Sequence, residues 1–235
     1  MALERLDQTR CADPLQAVLH RNRYEFVLAR LPAKSSVLEI GTGLGALTRQ
    51  LFPLCARYLG VEYDSQACVE ARRNAPGAEI LEADARKLPF ADNQFSFIVC
   101  LEVLEHLGDF RAGVSEIHRC LHPEGLAIVS VPYRRRGEPS KVNRYHLYEP
   151  GENELVTLFQ SLFERVEVHY QFFEETAWMT WARHLRLRRL FGLHRIYADL
   201  TAGLPEATAK LRISAQPRGM KESLILVARG KKASP

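Results

Sequence analysis

The sequence lacks any run of about eighteen apolar residues, the length that a membrane-spanning helix requires. Its first residues, MALERLDQTRCADPLQ, carry acids where a secretory leader needs an apolar stretch. Together these absences predict a cytoplasmic protein. Cysteine is sparse: Cys11, Cys55, Cys68, Cys100 and Cys120 are scattered without a CxxC pair, which predicts reduced, structural thiols. With 14 glycines and 12 prolines in 235 residues there is no enrichment of the kind that marks fibrous or disordered chains, and no internal repeat or low-complexity tract is visible. The net charge of +4 is too small to imply a nucleic-acid partner by itself.

What remains is ordinary globular material, 46% hydrophobic and 26% charged, long enough for one sizeable α/β core with an elaboration. A single domain spanning residues 1–235 is expected. Apolar residues at Leu15, Val18, Leu19, Phe26, Val27 and Leu31 have helical spacing and end at Pro32, predicting a covering helix over 14–32. SSVLEIG then reads as a buried strand running into glycines. The same alternation continues through YLGVEY before DSQACVEARRN, AEILEAD before a loop, FSFIVC before FRAGVSEIHRCL, and GLAIVSVP. Strands alternating with helices predict a parallel sheet covered on both faces. ENELVTLFQSLF reads as a helix, FERVEVHYQ as a strand and ESLILVARG as a closing strand, which gives seven strands in all. The expected core is therefore 33–172 with 221–230, and 173–220 is an insertion, read as helical, before the last strand.

The central motif is VLEIGTGLGALT. Gly41, Gly43 and Gly45 follow a buried strand and precede a helix, where glycine permits a sharp turn and close approach of a ligand to the main chain. Gly41, Gly43 and Ala46 also satisfy the dinucleotide pattern GxGxxG/A, so the loop alone does not distinguish ligands. Glu39, two residues before the first glycine, favours a cationic ligand end and would repel a pyrophosphate. Glu62 closes the second strand, where a carboxylate can accept both hydroxyls of a ribose. Asp84 ends the third strand, where it can accept from an exocyclic amino group.

Read in order, VLEIGTGLG, GVEYD, EADARKLPF, FSFIVCLEVLEH and LHPEGLAIVSVPY resemble the motifs of class I S-adenosylmethionine-dependent methyltransferases, specifically the type 11-like subgroup acting on small molecules, lipids and glycans. The resemblance covers roughly 15–172 and the closing strand, and implies a Rossmann-like fold with S-adenosyl-L-methionine as cofactor. It also implies a cofactor shell of Glu39, Gly41, Thr42, Gly43, Gly45, Glu62, Tyr63, Asp84, Ala85 and Leu101, with Tyr63 packing on the adenine. Glu124 in LHPEG departs from the usual glycine, at a turn away from the site.

A second constellation is LEVLEH, where Glu102, Glu105 and His106 fall at i, i+3 and i+4 and would share one face of a helix after the fourth strand. His146, in the segment after the fifth strand, belongs to the same sheet edge. Glu102, Glu105, His106 and His146 could hold a divalent cation such as magnesium, a pattern similar to the metal site of certain methyltransferases acting on RNA 2′-hydroxyls or ubiquinone precursors. Alternatively His106 or His146 serves as a general base, or these side chains merely order the loop. His20, Arg21, Arg23 and Tyr24 lie on the helix expected over the cofactor and read chiefly as solvated surface charge.

The insertion interleaves Trp178, Trp181, Leu185 and Phe191 with arginines at 183, 186, 188, 189 and 195. Such a pattern suits a helical lid, peripheral membrane contact through 178–197, or an RNA surface, although its apolar positions do not share one helical face throughout. The expected activity is O-methylation of a small-molecule, glycan or lipid-linked acceptor by direct in-line transfer. An RNA methyltransferase, an inactive cofactor-binding partner subunit and a nicotinamide-dependent oxidoreductase are the competing readings, the last opposed by Glu39 and Asp84. Oligomeric state stays open.

Overall fold

The computed structural model describes residues 14–140, 143–174, 211–217 and 219–232. Its centre is an eight-stranded sheet in the order β3-β2-β1-β4-β5-β8-β6-β7. The strands are β1 (Ser36–Ile40), β2 (Arg57–Glu62), β3 (Ile80–Glu82), β4 (Phe95–Leu101), β5 (Leu121–Pro132), β6 (Phe163–Glu174), β7 (Leu211–Ser214) and β8 (Gly219–Lys231). Strands β1 to β5 pair in parallel, as βαβ crossovers require, whereas β8 runs antiparallel to both β5 and β6. The helices are α1 (Pro14–Leu28), α2 (Thr48–Leu51), α3 (Ser65–Asn74), α4 (Phe110–Cys120) and α5 (Glu152–Leu162).

The parallel strands read as continuous apolar runs because both of their faces are buried. One face packs Phe110, Val114, Ile117 and Cys120 of α4 with Leu155 and Phe159 of α5 onto Leu38, Ile98, Val129 and Leu226. The other packs Phe26 and Val27 of α1 with Leu51, Cys68 and Ala71 onto Val37, Phe97, Ile128 and Ile225. Helix starts follow from short acids: the Asp64 carboxylate accepts from Ala67 N, and the Asp109 carboxylate from Arg111 N and Ala112 N. Cys68, Cys100 and Cys120 are buried free thiols, as the sequence predicts. No helix among the described residues is long and apolar enough to cross a membrane.

The sheet has one strand more than expected. Leu211–Ser214 lies inside the segment read as a helical insertion, yet pairs antiparallel with β6 as the edge strand β7. Four residues are too few to show strand alternation in a sequence, and an edge position requires burial on neither side. β6 itself continues to Glu174, two residues past the expected core boundary. The remainder of the insertion, with its tryptophans and arginine-rich stretch 178–197, lies outside the described residues.

Arg23 corrects another expectation. It is 3% exposed rather than solvated, and its guanidinium donates to Gln171 Oε1 at 2.7 Å and Ser223 Oγ at 3.2 Å. Gln171 Nε2 in turn donates to the Leu19 carbonyl at 2.9 Å. Buried polar bonds thus fasten α1 to β6 and β8, a role invisible to a reading that treats arginine as a surface residue. His20 beside it has its pKa depressed to about 3 by burial and by the Arg23 charge, so its ring is neutral.

Candidate active site

Strand order reverses between β1 and β4, and ligands of open α/β sheets bind outside the carboxyl ends of strands at such a switch point. The glycine loop sits there. Gly41 N and Thr42 N donate to the Val61 carbonyl at 2.8 and 3.1 Å, drawing the loop across the end of β2. Gly41, Gly43 and Gly45 have φ of +78°, +53° and +83°, the left-handed region that favours glycine. A Cβ on Gly41 would strike Val103 Cγ2 at 2.3 Å, which enforces glycine by packing. A Cβ on Gly43 would meet no heavy atom within 4 Å, so this residue faces open space rather than the core.

The three acids stand near the carboxyl ends of β1, β2 and β3, and each is held by a partner that the sequence reading missed. Glu62 accepts from Gly43 N at 2.9 Å through Oε2 and from Asp64 N at 3.1 Å through Oε1, tying the end of β2 to the glycine loop. Glu39 is buried, and its Oε2 accepts from Tyr58 Oη at 2.5 Å and Thr48 Oγ1 at 3.0 Å. Burial pushes its carboxyl up to about 7, against the pull of those two bonds, with the Glu62 charge adding to the rise. Asp84 forms a fork with Arg86, Oδ2 to Nη2 at 2.6 Å, and this bond holds its carboxyl below the usual range. Tyr63 is 73% exposed, which leaves its ring accessible for stacking, while Thr42 and Ala85 are buried. Leu101 is half-buried at the end of β4, so all ten expected shell residues gather along one sheet edge.

The LEVLEH reading needs correction. No helix begins at Glu102; that residue has φ +54°, and only Leu104–His106 form a single 3-10 turn. Glu102 accepts from Ser130 Oγ at 2.7 Å and lies outside the metal-capable group, because the left-handed residue breaks the i, i+3 spacing that would have aligned it with Glu105. Such a backbone conformation is uncommon in a non-glycine residue, and here it stands next to Val103, which packs against the glycine loop. Glu105, His106 and His146 do converge, each offering a ligand atom within 4.8 Å of the others.

Their surroundings define their chemistry. Glu105 is fully buried, and neither of its carboxylate oxygens has a hydrogen-bond partner in the structure; burial, followed by the Glu102 charge, raises its pKa well above the ordinary value. His106 Nδ1 lies 3.0 Å from the Tyr145 carbonyl, which can only accept, so Nδ1 carries a proton. His146 Nδ1 lies 2.6 Å from Glu149 Oε1, and Glu149 also pairs with Arg134. Burial would push the Glu149 carboxyl up, but the bonds from His146 and Ser140 and the Arg134 charge hold it below its usual range. Glu149 is a carboxylate that orients an imidazole, and the HLYE spacing was the only sequence signal for it.

The fold and the glycine loop define a Rossmann-like α/β protein. Residues 38–129 match the family model of a methyltransferase domain. Over 151 residues the chain is 32% identical to a Mycolicibacterium smegmatis protein described as a probable S-adenosylmethionine-dependent methyltransferase, an overlap of 62% of this chain and 59% of that one. It is 30% identical over 97 residues to the demethylmenaquinone methyltransferase of Chlorobaculum tepidum, covering 41% of this chain and 40% of that one. The chain thus spans less than two thirds of the length of these curated relatives. Among solved structures, the N-methyltransferase NodS of Bradyrhizobium japonicum in complex with S-adenosyl-L-homocysteine has the same fold, with a TM-score of 0.61 at 18% identity over 95% of this chain and 94% of that one. The chain is a homologue of S-adenosylmethionine-dependent methyltransferases and carries their methyltransferase domain over residues 38–129.

Proposed function

We propose that the protein is an S-adenosylmethionine-dependent methyltransferase that methylates an oxygen of a small-molecule, glycan or lipid-linked acceptor. The observation that carries this reading is the open space at Gly43, whose N–H is held by Glu62, at the sheet edge where Glu39 and Asp84 also stand near the ends of β1 and β3. An adenosyl sulfonium fits the donor set: Glu62 for ribose hydroxyls, Asp84 for the adenine amino group and Glu39 for the ammonium end. A diphosphate would face two buried carboxylates, Glu39 and Glu62, which opposes a nicotinamide dinucleotide. When bound, the cofactor supplies an electrophilic methyl group, and the chain's own residues need only align the acceptor and take its proton.

The His106 and His146 pair is the proton acceptor of this reading, since the Tyr145 carbonyl and Glu149 orient the two rings through Nδ1 and bring them edge to face with centroids 4.8 Å apart. This is what favours an oxygen acceptor. A divalent cation is the alternative occupant, held by Glu105, His106 and His146, where it would lower the pKa of an acceptor hydroxyl. Two imidazoles with one carboxylate suit manganese, iron or zinc better than the magnesium expected from four ligands. Chelation decides between the two: loss of turnover in EDTA with recovery on adding manganese or magnesium supports the cation, and undiminished turnover in EDTA leaves the imidazoles as bases.

The reading as a whole is tested by thermal denaturation with S-adenosylmethionine and, separately, with NAD. At a hundred times its dissociation constant, the true ligand adds about 2.7 kcal/mol of stability. Stabilisation by S-adenosylmethionine alone is expected, and stabilisation by NAD alone would falsify the assignment.

A further inference from the structure

The antiparallel half of the sheet contains an irregularity at the same edge as the site. Gln171 of β6 pairs with Ser223 of β8, but the next residue, Phe172, pairs with Lys221, so Glu222 is an extra residue in β8. A bulge of this kind re-aims the side chains beside it and is found next to active sites more often than elsewhere. Here it places Lys221 over two aromatic rings. Its ammonium lies 3.7 Å from the Tyr170 ring centroid and 4.5 Å from that of Tyr133, the residue that follows β5. The two rings meet edge to face, with centroids 6.0 Å apart.

Among the described residues, charge in this cluster is not balanced. Glu152, at the start of α5, is the acid nearest Lys221, and its Oε2 is 3.9 Å from the ammonium. Both carboxylate oxygens of Glu152 already accept phenolic protons, Oε2 from Tyr133 at 3.1 Å and Oε1 from Tyr170. Arg135 is exposed and lies close enough to Tyr133 to act electrostatically on its hydroxyl. Among the described residues, two cations therefore act on Tyr133, while the acid paired with Lys221 already shares its charge with two hydroxyls. Lys221 is held by cation–π contact and stays 23% exposed, so it is fixed in place and still reachable from solvent.

We infer that Lys221, over the Tyr133 ring, forms with nearby Arg135 the docking point for an oxyanion on the acceptor, a carboxylate or a phosphate, at the carboxyl end of β5. This rests on the methyltransferase reading, in which the acceptor approaches from that sheet edge. A purely structural tie between α5, β6 and β8 would need neither the exposure of Lys221 nor the second cation.

The test is an NMR titration of the S-adenosylhomocysteine-saturated protein with inorganic phosphate and, in a parallel sample, with acetate at constant ionic strength. Saturable shifts centred on Tyr133 and Lys221 are expected with one or both anions, and the tighter anion names the acceptor's group. Lys221→Met and Arg135→Gln should each weaken that binding by about tenfold, while Lys221→Arg largely preserves it. Absence of saturable shifts with either anion overturns the inference, as does wild-type affinity in both charge-removing variants. Homocysteine-cofactor affinity, measured on the same samples, separates the two levels. If the cofactor binds and the anions do not, only the docking point fails; if the cofactor does not bind, the methyltransferase reading fails first.

Discussion

Gly43→Val is expected to lose at least about a hundredfold in affinity for S-adenosylhomocysteine, roughly 2.8 kcal/mol, while the domain remains folded. The reasoning separates two effects that usually coincide. A Cβ at this position meets no atom beyond its chain neighbours within 4 Å, so the branch point of the valine clears the core. Its backbone penalty, from φ +53°, is about 1–2 kcal/mol and falls on folding, not on binding. The loss of affinity then reports only the occupation of ligand space by the new side chain. Isothermal titration checks affinity and circular dichroism checks the fold; unchanged affinity in a folded variant would show that the ligand lies elsewhere. Gly41→Val is the contrasting case, because its Cβ would overlap Val103 and damage folding itself.

Glu39→Gln is expected to make the free protein more stable and the cofactor complex weaker. The Glu39 carboxyl ionises near 7 in the folded protein and near the ordinary 4.5 in the unfolded chain. A carboxylate raised in this way contributes stability that is greatest below about 4.5 and falls as pH climbs to about 7, by about 3 kcal/mol in total. Glutamine can still accept from Tyr58 and Thr48 but has no charge to desolvate. The variant should therefore gain stability relative to wild type at about pH 8 and show a flatter dependence below it. Binding moves the opposite way. An ammonium beside Glu39 favours the ionised form, so wild-type cofactor affinity should rise with pH up to about 7 and then level, whereas Glu39→Gln should bind at least about tenfold more weakly at pH 8 with little pH dependence. Calorimetry at about pH 6 and pH 8 measures both. Equal slopes in the two proteins would remove Glu39 from the cofactor's ammonium end.

The parallel half of the fold and the glycine-loop edge were legible in the sequence because their causes are local. A strand buried on both faces must be a short apolar run, and a left-handed turn before a helix must be glycine, so VLEIGTGLG and the acids at successive strand ends carry their positions openly. The parts that were not legible depend on contacts distant in sequence. Glu102 reads as a helical partner of Glu105, but its backbone is left-handed and its side chain is bonded to Ser130, twenty-eight positions away. Arg23 reads as a surface charge, and only its bonds to Gln171 and Ser223 reveal a buried fastening of α1. The bulge at Glu222 leaves no trace in ESLILVARG, since an extra residue in a strand changes the register and not the composition. Edge strand β7 is too short for its period to be seen.

The most direct measurement of the central claim is a crystal structure of the protein grown with S-adenosylhomocysteine. The account predicts the ligand lying over Gly43, with its ribose hydroxyls on Glu62, its adenine between Tyr63 and Asp84, and its sulfur turned toward His106 and His146. Density for the ligand at any other place on the molecule, or a glycine loop closed by protein side chains with the ligand present in excess, would contradict it.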